Sequence, residues 1–168
     1  NDANAFGLGE NWVGFGRGIK NWIGLTLGTG VGGCLILNGN LWRGDDLGFV
    51  AEAGHMIVSS GGPQCACGLR GCLETHTSGS ALRSGADPLT DKTLENGSLA
   101  DFAHTMQADP EDVYRRACEG DPSAQNLFDH MGWALGLAIA NLFTFLGIRH
   151  AIIGGGSQCI VGSLYRSP

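Results

Sequence analysis

The chain has 168 residues, 43% of them hydrophobic, which suits one domain with a substantial core. Its formal net charge is −6, with ten lysines and arginines spread along the length. No basic run occurs, which argues against a nucleic-acid grip or an anionic-membrane surface in this segment.

In chain order, residues 2–13 (DANAFGLGENWV) read as a helix of small and apolar residues, ending in the glycine-rich FGRG segment at 15–18. Residues 22–28 (WIGLTLG) read as an apolar strand, followed by a turn at Thr29-Gly30 and a second strand over 31–37. Asn38-Gly39 is a strong hairpin signal, and a third strand over 40–43 completes an antiparallel meander. A cysteine-rich loop comes next, then the start of a helix over 77–83. Residues 84–97 are polar and turn-rich, the composition of a surface loop. Asp109-Pro110-Glu111-Asp112 supplies an N-cap, an N1 proline and acidic residues at the positive end of a helix dipole. Asp121-Pro122-Ser123 repeats the device before a long helix to about Gly147, in which Leu127, Met131, Leu135, Ala138, Leu142 and Phe145 recur at core spacing. The apolar stretch 132–148 contains Asn141 and reads as part of that core helix, not as a membrane span. The last predicted element is a buried strand over 150–156 running into a glycine turn. The 29 glycines are scattered, and no internal repeat is present.

The stretch HMIVSSGGPQCACGLRGCLE carries the strongest chemistry. His55, Cys65, Cys67 and Cys72 form a Cys3His set with C-x-C-x4-C spacing, suited to a closed tetrahedral zinc site of structural rather than catalytic type. Disulfide pairing is the competing reading. Cys65 and Cys67 are too close to bridge comfortably, and pairing either with Cys72 leaves an odd thiol. Cys34, Cys118 and Cys159 stand singly and read as buried free thiols, consistent with a reducing, cytoplasmic compartment. Glu52 and Glu74 flank the zinc loop, where fixed carboxylates could accept hydrogen bonds from sugar hydroxyls. His76, His104, His130 and His150 have no companions at ligand spacing and read as surface or satisfied histidines.

Two glycine clusters remain open on spacing alone. Gly28, Thr29 and Gly30 could converge backbone N–H groups on an anion, but many hairpins contain G-x-G. This is neither a Walker A loop nor a Rossmann fingerprint. Gly154, Gly155 and Gly156 follow a strand and would allow close approach of a ligand, or simply make a tight strand-to-helix turn. Asp2 could be the N-cap of the first helix or a functional carboxylate.

Taken together, NDANAFGLGENWVGFGRG, LTLGTGVGGCLILNGNLWRG, AEAGHMIV, CACGLRGCLETHTSGSAL and IIGGG resemble the ROK family, named for repressors, open reading frames and kinases. The resemblance runs over nearly the whole chain. It implies an α/β, actin-like or hexokinase-type ATPase fold, with residues 1–168 forming a C-terminal lobe that has a mixed sheet, flanking helices and a zinc-bound loop. It further implies a sugar kinase of the glucokinase type, using ATP with Mg²⁺ and most readily glucose. Carried over by residue, Asp2 is the catalytic base and Asn1 a sugar ligand. Glu52, His55 and Glu74 bind sugar hydroxyls, and His55, Cys65, Cys67 and Cys72 bind zinc. Gly28, Thr29 and Gly30 match a phosphate loop, and Gly154, Gly155 and Gly156 an adenosine-side turn. Homo-oligomers, dimers or tetramers, are common in the family. The alternative it carries is the sugar-sensing domain of a ROK transcriptional repressor. The chain opens at Asn1 and stops at Pro168, so the small lobe with the first phosphate loop and the end of the C-terminal region are expected to lie outside it. A fragment of that kind should not be an efficient kinase alone. Ala51 stands where the family commonly has glycine.

Overall fold

A computed structural model describes residues 1–44, 50–84 and 109–156. Its centre is a four-stranded mixed sheet in the order β3-β2-β1-β4. Strands β1 (Trp22–Leu27), β2 (Val31–Leu37) and β3 (Asn40–Leu41) make the expected antiparallel meander, with β3 shorter than the pattern suggested. Asn38 and Gly39 both take positive φ, as the tight hairpin requires. Strand β4 (Ala151–Gly154) returns from far along the chain to pair parallel with β1, from Ile23↔Ala151 to Thr26↔Gly154.

Helix α1 (Asp2–Trp12) covers one face of β1 and β2 through its small residues. Gly7 lies against the Cys34 sulfur, and Ala3 against Gly32. Its N-cap is Asn1, whose side chain accepts from the Asn4 N–H at 2.8 Å. Asp2 is therefore the first helical residue and not the cap. The expected helix over 77–83 is two pieces, α2 (Glu74–Thr77) and α3 (Gly79–Ser84), broken where Ser78 turns extended (ψ 163°).

Both proline-started helices form as read. Asp109 caps α4 (Pro110–Cys118), and Asp121 caps α5 (Pro122–Leu146) by accepting from Ser123 and Ala124. Helix α5 ends on Gly147 in the left-handed conformation. Leu127, Met131, Leu135 and Ala138 are buried, and Leu142 packs beside Ile23 and Leu35. Phe145 departs from the expected core stripe at 88% exposed: nothing among the described residues covers it, and in the last turn it is Phe143 that packs beside Ile23 and Leu35. Cys34 is fully buried, and burial pushes its thiol up to about 11. Cys118, expected to be buried, is exposed at the end of α4. Cys159, His104 and most of the 84–97 loop lie outside the described residues. No helix among those described is long and apolar enough to cross a membrane.

Ala51 has φ 57°, in the left-handed region. A Cβ there costs about 1–2 kcal/mol, partly offset by the greater unfolded-state freedom of glycine. Ala51→Gly is therefore expected to stabilise the fold by up to about 1 kcal/mol. A raised urea midpoint at unchanged slope is the expected reading, and an unchanged or lowered midpoint would show that the strain is relieved elsewhere.

Candidate active site and metal centre

Strands β1 and β4 are parallel neighbours, so the turns that leave them lie side by side at the carboxyl edge of the sheet. Gly155, with φ 104°, passes so close to the Leu27 carbonyl that a side chain would collide with it. The clusters at 28–30 and 154–156 thus meet at one edge, the usual ligand edge of open α/β sheets. Ala3 packs on Gly32, whose register partner is Thr26, which brings the start of α1, and Asp2 with it, to this edge. Asp2 is exposed, and its carboxylate accepts from the Ala3 N–H at 2.9 Å.

The β1–β2 turn is tied to α3. The Gly79 N–H donates to the Gly28 carbonyl and the Ser80 hydroxyl to the Thr29 carbonyl, both at 2.8 Å. In a trans peptide the N–H points opposite the carbonyl, so the N–H groups of Thr29 and Gly30 face away from α3. Adjacent N–H groups directed outward from a turn suit an anion. Ser80 was not singled out by sequence, because its role depends on contact with a turn 51 residues earlier.

The segment ahead of the cysteine loop crosses β2, with the Ala51 carbonyl against Gly33 and Gly54 against the Val31 carbonyl. It ends in a single 3-10 turn, Ala53–His55. The loop then folds on itself through bridges Ile57↔Cys72 and Gln64↔Arg70. This brings one ligand atom each from His55, Cys65, Cys67 and Cys72 within 4.8 Å of one another. His55 Nδ1 lies 3.7 Å from Cys65 Sγ, and Cys67 Sγ lies 3.6 Å from Cys72 Sγ. Tetrahedral zinc with bonds of about 2.3 Å to sulfur separates its sulfurs by about 3.8 Å, so the donor set and its spacing fit that ion. Burial, then the Glu74 carboxylate against the backbone N–H of Cys67, pushes the Cys65 thiol up to about 12. Burial also raises Cys72, whereas the Leu69 N–H and then the Cys65 side chain lower Cys67.

Between the metal loop and the glycine turn lies a cleft of about 500 Å³, lined by Thr29, Gly30, Cys65, Glu74, Ser78 and Ser80 among others. Glu74 spans it. One carboxylate oxygen accepts from Cys65 at 3.1 Å and lies 3.6 Å from His55 Nδ1, while the other abuts Gly30. Glu52 is exposed and also borders an apolar groove of about 250 Å³.

His76 and His130, expected to be surface or satisfied residues without companions, form a pair across 54 positions, Nδ1 to Nε2 at 3.0 Å. His76 is buried, and burial followed by the His130 charge holds its pKa down to about 4. An unfolded imidazole titrates near 6.5, so on acidification the unfolded chain takes the proton first. This contribution is complete above about pH 6.5 and is lost as pH falls toward 4, about 3 kcal/mol in all. Urea midpoints of the wild type should fall over that window more steeply than those of His76→Gln. Parallel curves would exclude the pair as the cause.

The mixed sheet, with two glycine turns at its carboxyl edge beside a polar cleft and a Cys3His loop, has the ROK/hexokinase-like fold. The chain belongs to the ROK family, whose model matches residues 1–163. It is 40% identical over 157 residues to a glucokinase of Halalkalibacterium halodurans, covering 93% of this chain and 47% of that protein. It is 30% identical over 154 residues to a xylose repressor of Caldicellulosiruptor bescii, covering 92% of this chain and 38% of the repressor. A solved ROK family glucokinase from Streptomyces griseus, in complex with glucose and AMPPNP, superposes with a TM-score of 0.74 at 31% identity, covering 96% of this chain and 53% of that one. The chain thus spans about half the length of the glucokinases it matches.

Proposed function

We propose that this chain is the sugar-binding lobe of an ATP-dependent hexose kinase, with glucose the preferred substrate. The observation that carries the reading is the cleft in which Glu74 bridges the metal loop and the glycine turn. It supplies a carboxylate for sugar hydroxyls beside outward N–H groups for phosphate. The identity to a glucokinase supports the same assignment.

In this mechanism Asn1, Glu52, His55 and Glu74 hold the sugar through its hydroxyls. Asp2 takes the proton from the attacking hydroxyl as its oxygen bonds to the γ-phosphorus of ATP. The bond from that phosphorus to the bridging oxygen breaks, and ADP leaves with the electron pair. Phosphoryl transfer asks chiefly for positioning and charge stabilisation. The N–H groups of Thr29 and Gly30 supply part of the latter, and the turn at Gly154, Gly155 and Gly156 receives the nucleotide. His55, Cys65, Cys67 and Cys72 would hold a structural zinc that orders the loop and leaves no open coordination position. Glu74 accepts from Cys65 only while that thiol keeps its proton. As a ligand the sulfur is a thiolate, and the carboxylate is then free to accept from a sugar hydroxyl.

A second reading, a sugar-sensing domain of a ROK repressor, is favoured by the 30% identity to the xylose repressor. A coupled assay of ADP release, run on the complete polypeptide with ATP and a panel of hexoses, separates the two. Turnover with glucose is expected. Sugar binding without ADP release would give the chain to the sensors.

A further inference from the structure

His76 is 2% exposed, yet only one of its ring nitrogens has a partner. Nδ1 meets His130 Nε2 on α5 at 3.0 Å. Nε2 has no partner and faces Gly62, where a Cβ would stand 2.9 Å from it. One proton lies between the paired nitrogens. If His130 donated it, His76 would carry its own proton on Nε2, buried against Gly62 without an acceptor, at the full desolvation cost of an unmade bond. If His76 donates, Nε2 is a bare lone pair against the Cα hydrogens of Gly62, a weakly attractive contact. The second arrangement leaves no stranded donor. His130 itself packs on Trp133, ring centroids 5.4 Å apart.

Helix α2 is four residues long, too short to hold its own conformation. Glu74 and His76 are two residues apart on it, about 200° around the axis. The same turn therefore presents His76 to the interior and Glu74 to the cleft. We propose that His76 is a positioning residue: as the Nδ1–H tautomer, donating to His130, it fixes the rotation of α2 that directs Glu74 toward the saccharide. This rests on the cleft being the sugar site.

The test uses the zinc-loaded, complete protein and glucose as the probe. His76→Asn keeps an N–H donor near the position of Nδ1, whereas His76→Gln moves the donor toward the position of Nε2. Calorimetric glucose affinity should stay within about twofold for His76→Asn and fall about tenfold for His76→Gln, with zinc content and AMPPNP affinity unchanged in both. A two-bond proton–nitrogen NMR spectrum of the wild type should show the His76 proton on Nδ1. Equal affinity in the two variants overturns the positioning role while leaving the sugar cleft intact, and a proton found on Nε2 overturns the tautomer. A wild type that binds no hexose defeats the cleft reading, and the role of His76 in it.

Discussion

Cys72→Ser, or extraction of the metal by a strong chelator, should leave residues 56–72 open to protease and remove measurable hexose binding. The reason is what the loop lacks. Ile57 and Leu69, two of its large apolar residues, are each about half exposed, and its cross-links are two isolated bridges and a few turn hydrogen bonds. Such a segment has little burial to offset the cost of ordering its backbone, roughly 1–2 kcal/mol per residue. Apparent zinc affinities of Cys/His peptides, about 10–16 kcal/mol near neutral pH, are large enough to supply the difference. The sheet and α5 share a core with both flanks of this region, through Met56 and Val58 on one side and Leu73 on the other, so loosening should spread to α2 while β1 and β2 keep their pairing. Acid should act as the chelator does, because burial holds the protons on Cys65 and Cys72 that a metal ion must displace. The measurements are zinc content, proteolysis and hexose titration before and after chelation. A metal-free protein that keeps its protease resistance and its sugar affinity would refute the ordering role.

Asp2→Asn should separate binding from turnover. The asparagine oxygen can still accept from the Ala3 N–H, and the Asn1 cap on Asn4 is untouched, so α1 should start as before. What disappears is the group able to take a proton. Loss of a general base typically costs 10²–10⁴-fold, so kcat is expected to fall by about that factor while glucose affinity stays within about twofold. Steady-state kinetics beside a binding titration would decide it, and a parallel loss of both quantities would mark Asp2 as structural.

The parts that could be read from sequence are those encoded locally. Asn38-Gly39 places a hairpin wherever it sits between two apolar runs, and Asp-Pro pairs start helices by satisfying the first N–H groups. The metal ligands could be read because all four fall within 18 consecutive residues, so loop closure alone brings them together. Contacts across long separations could not. The His76–His130 pair and the Ser80 bond to Thr29 join segments that nothing in their spacing connects. Local patterns also overreached. The helical period that marks Leu127 to Leu142 as core continues to Phe145, but in the final turn Phe143 is the residue that packs beside Ile23 and Leu35, and periodicity carries no information about which residue there finds a neighbour. Ser78 breaks the helix expected at 77–83, and its extended backbone lets Gly79 and Ser80 reach the glycine turn.

That reach has a thermodynamic side. The carbonyls of Gly28 and Thr29 are already held by α3, so the donors on the opposite sides of those peptides are oriented before any nucleotide arrives. Dipoles fixed in advance lose no free energy turning to meet a developing charge. Nucleotide entry should therefore slow hydrogen exchange at the Thr29 and Gly30 amides by capping them with phosphate oxygens, while the backbone of the turn stays where it is and the conformational response falls on elements less firmly tethered.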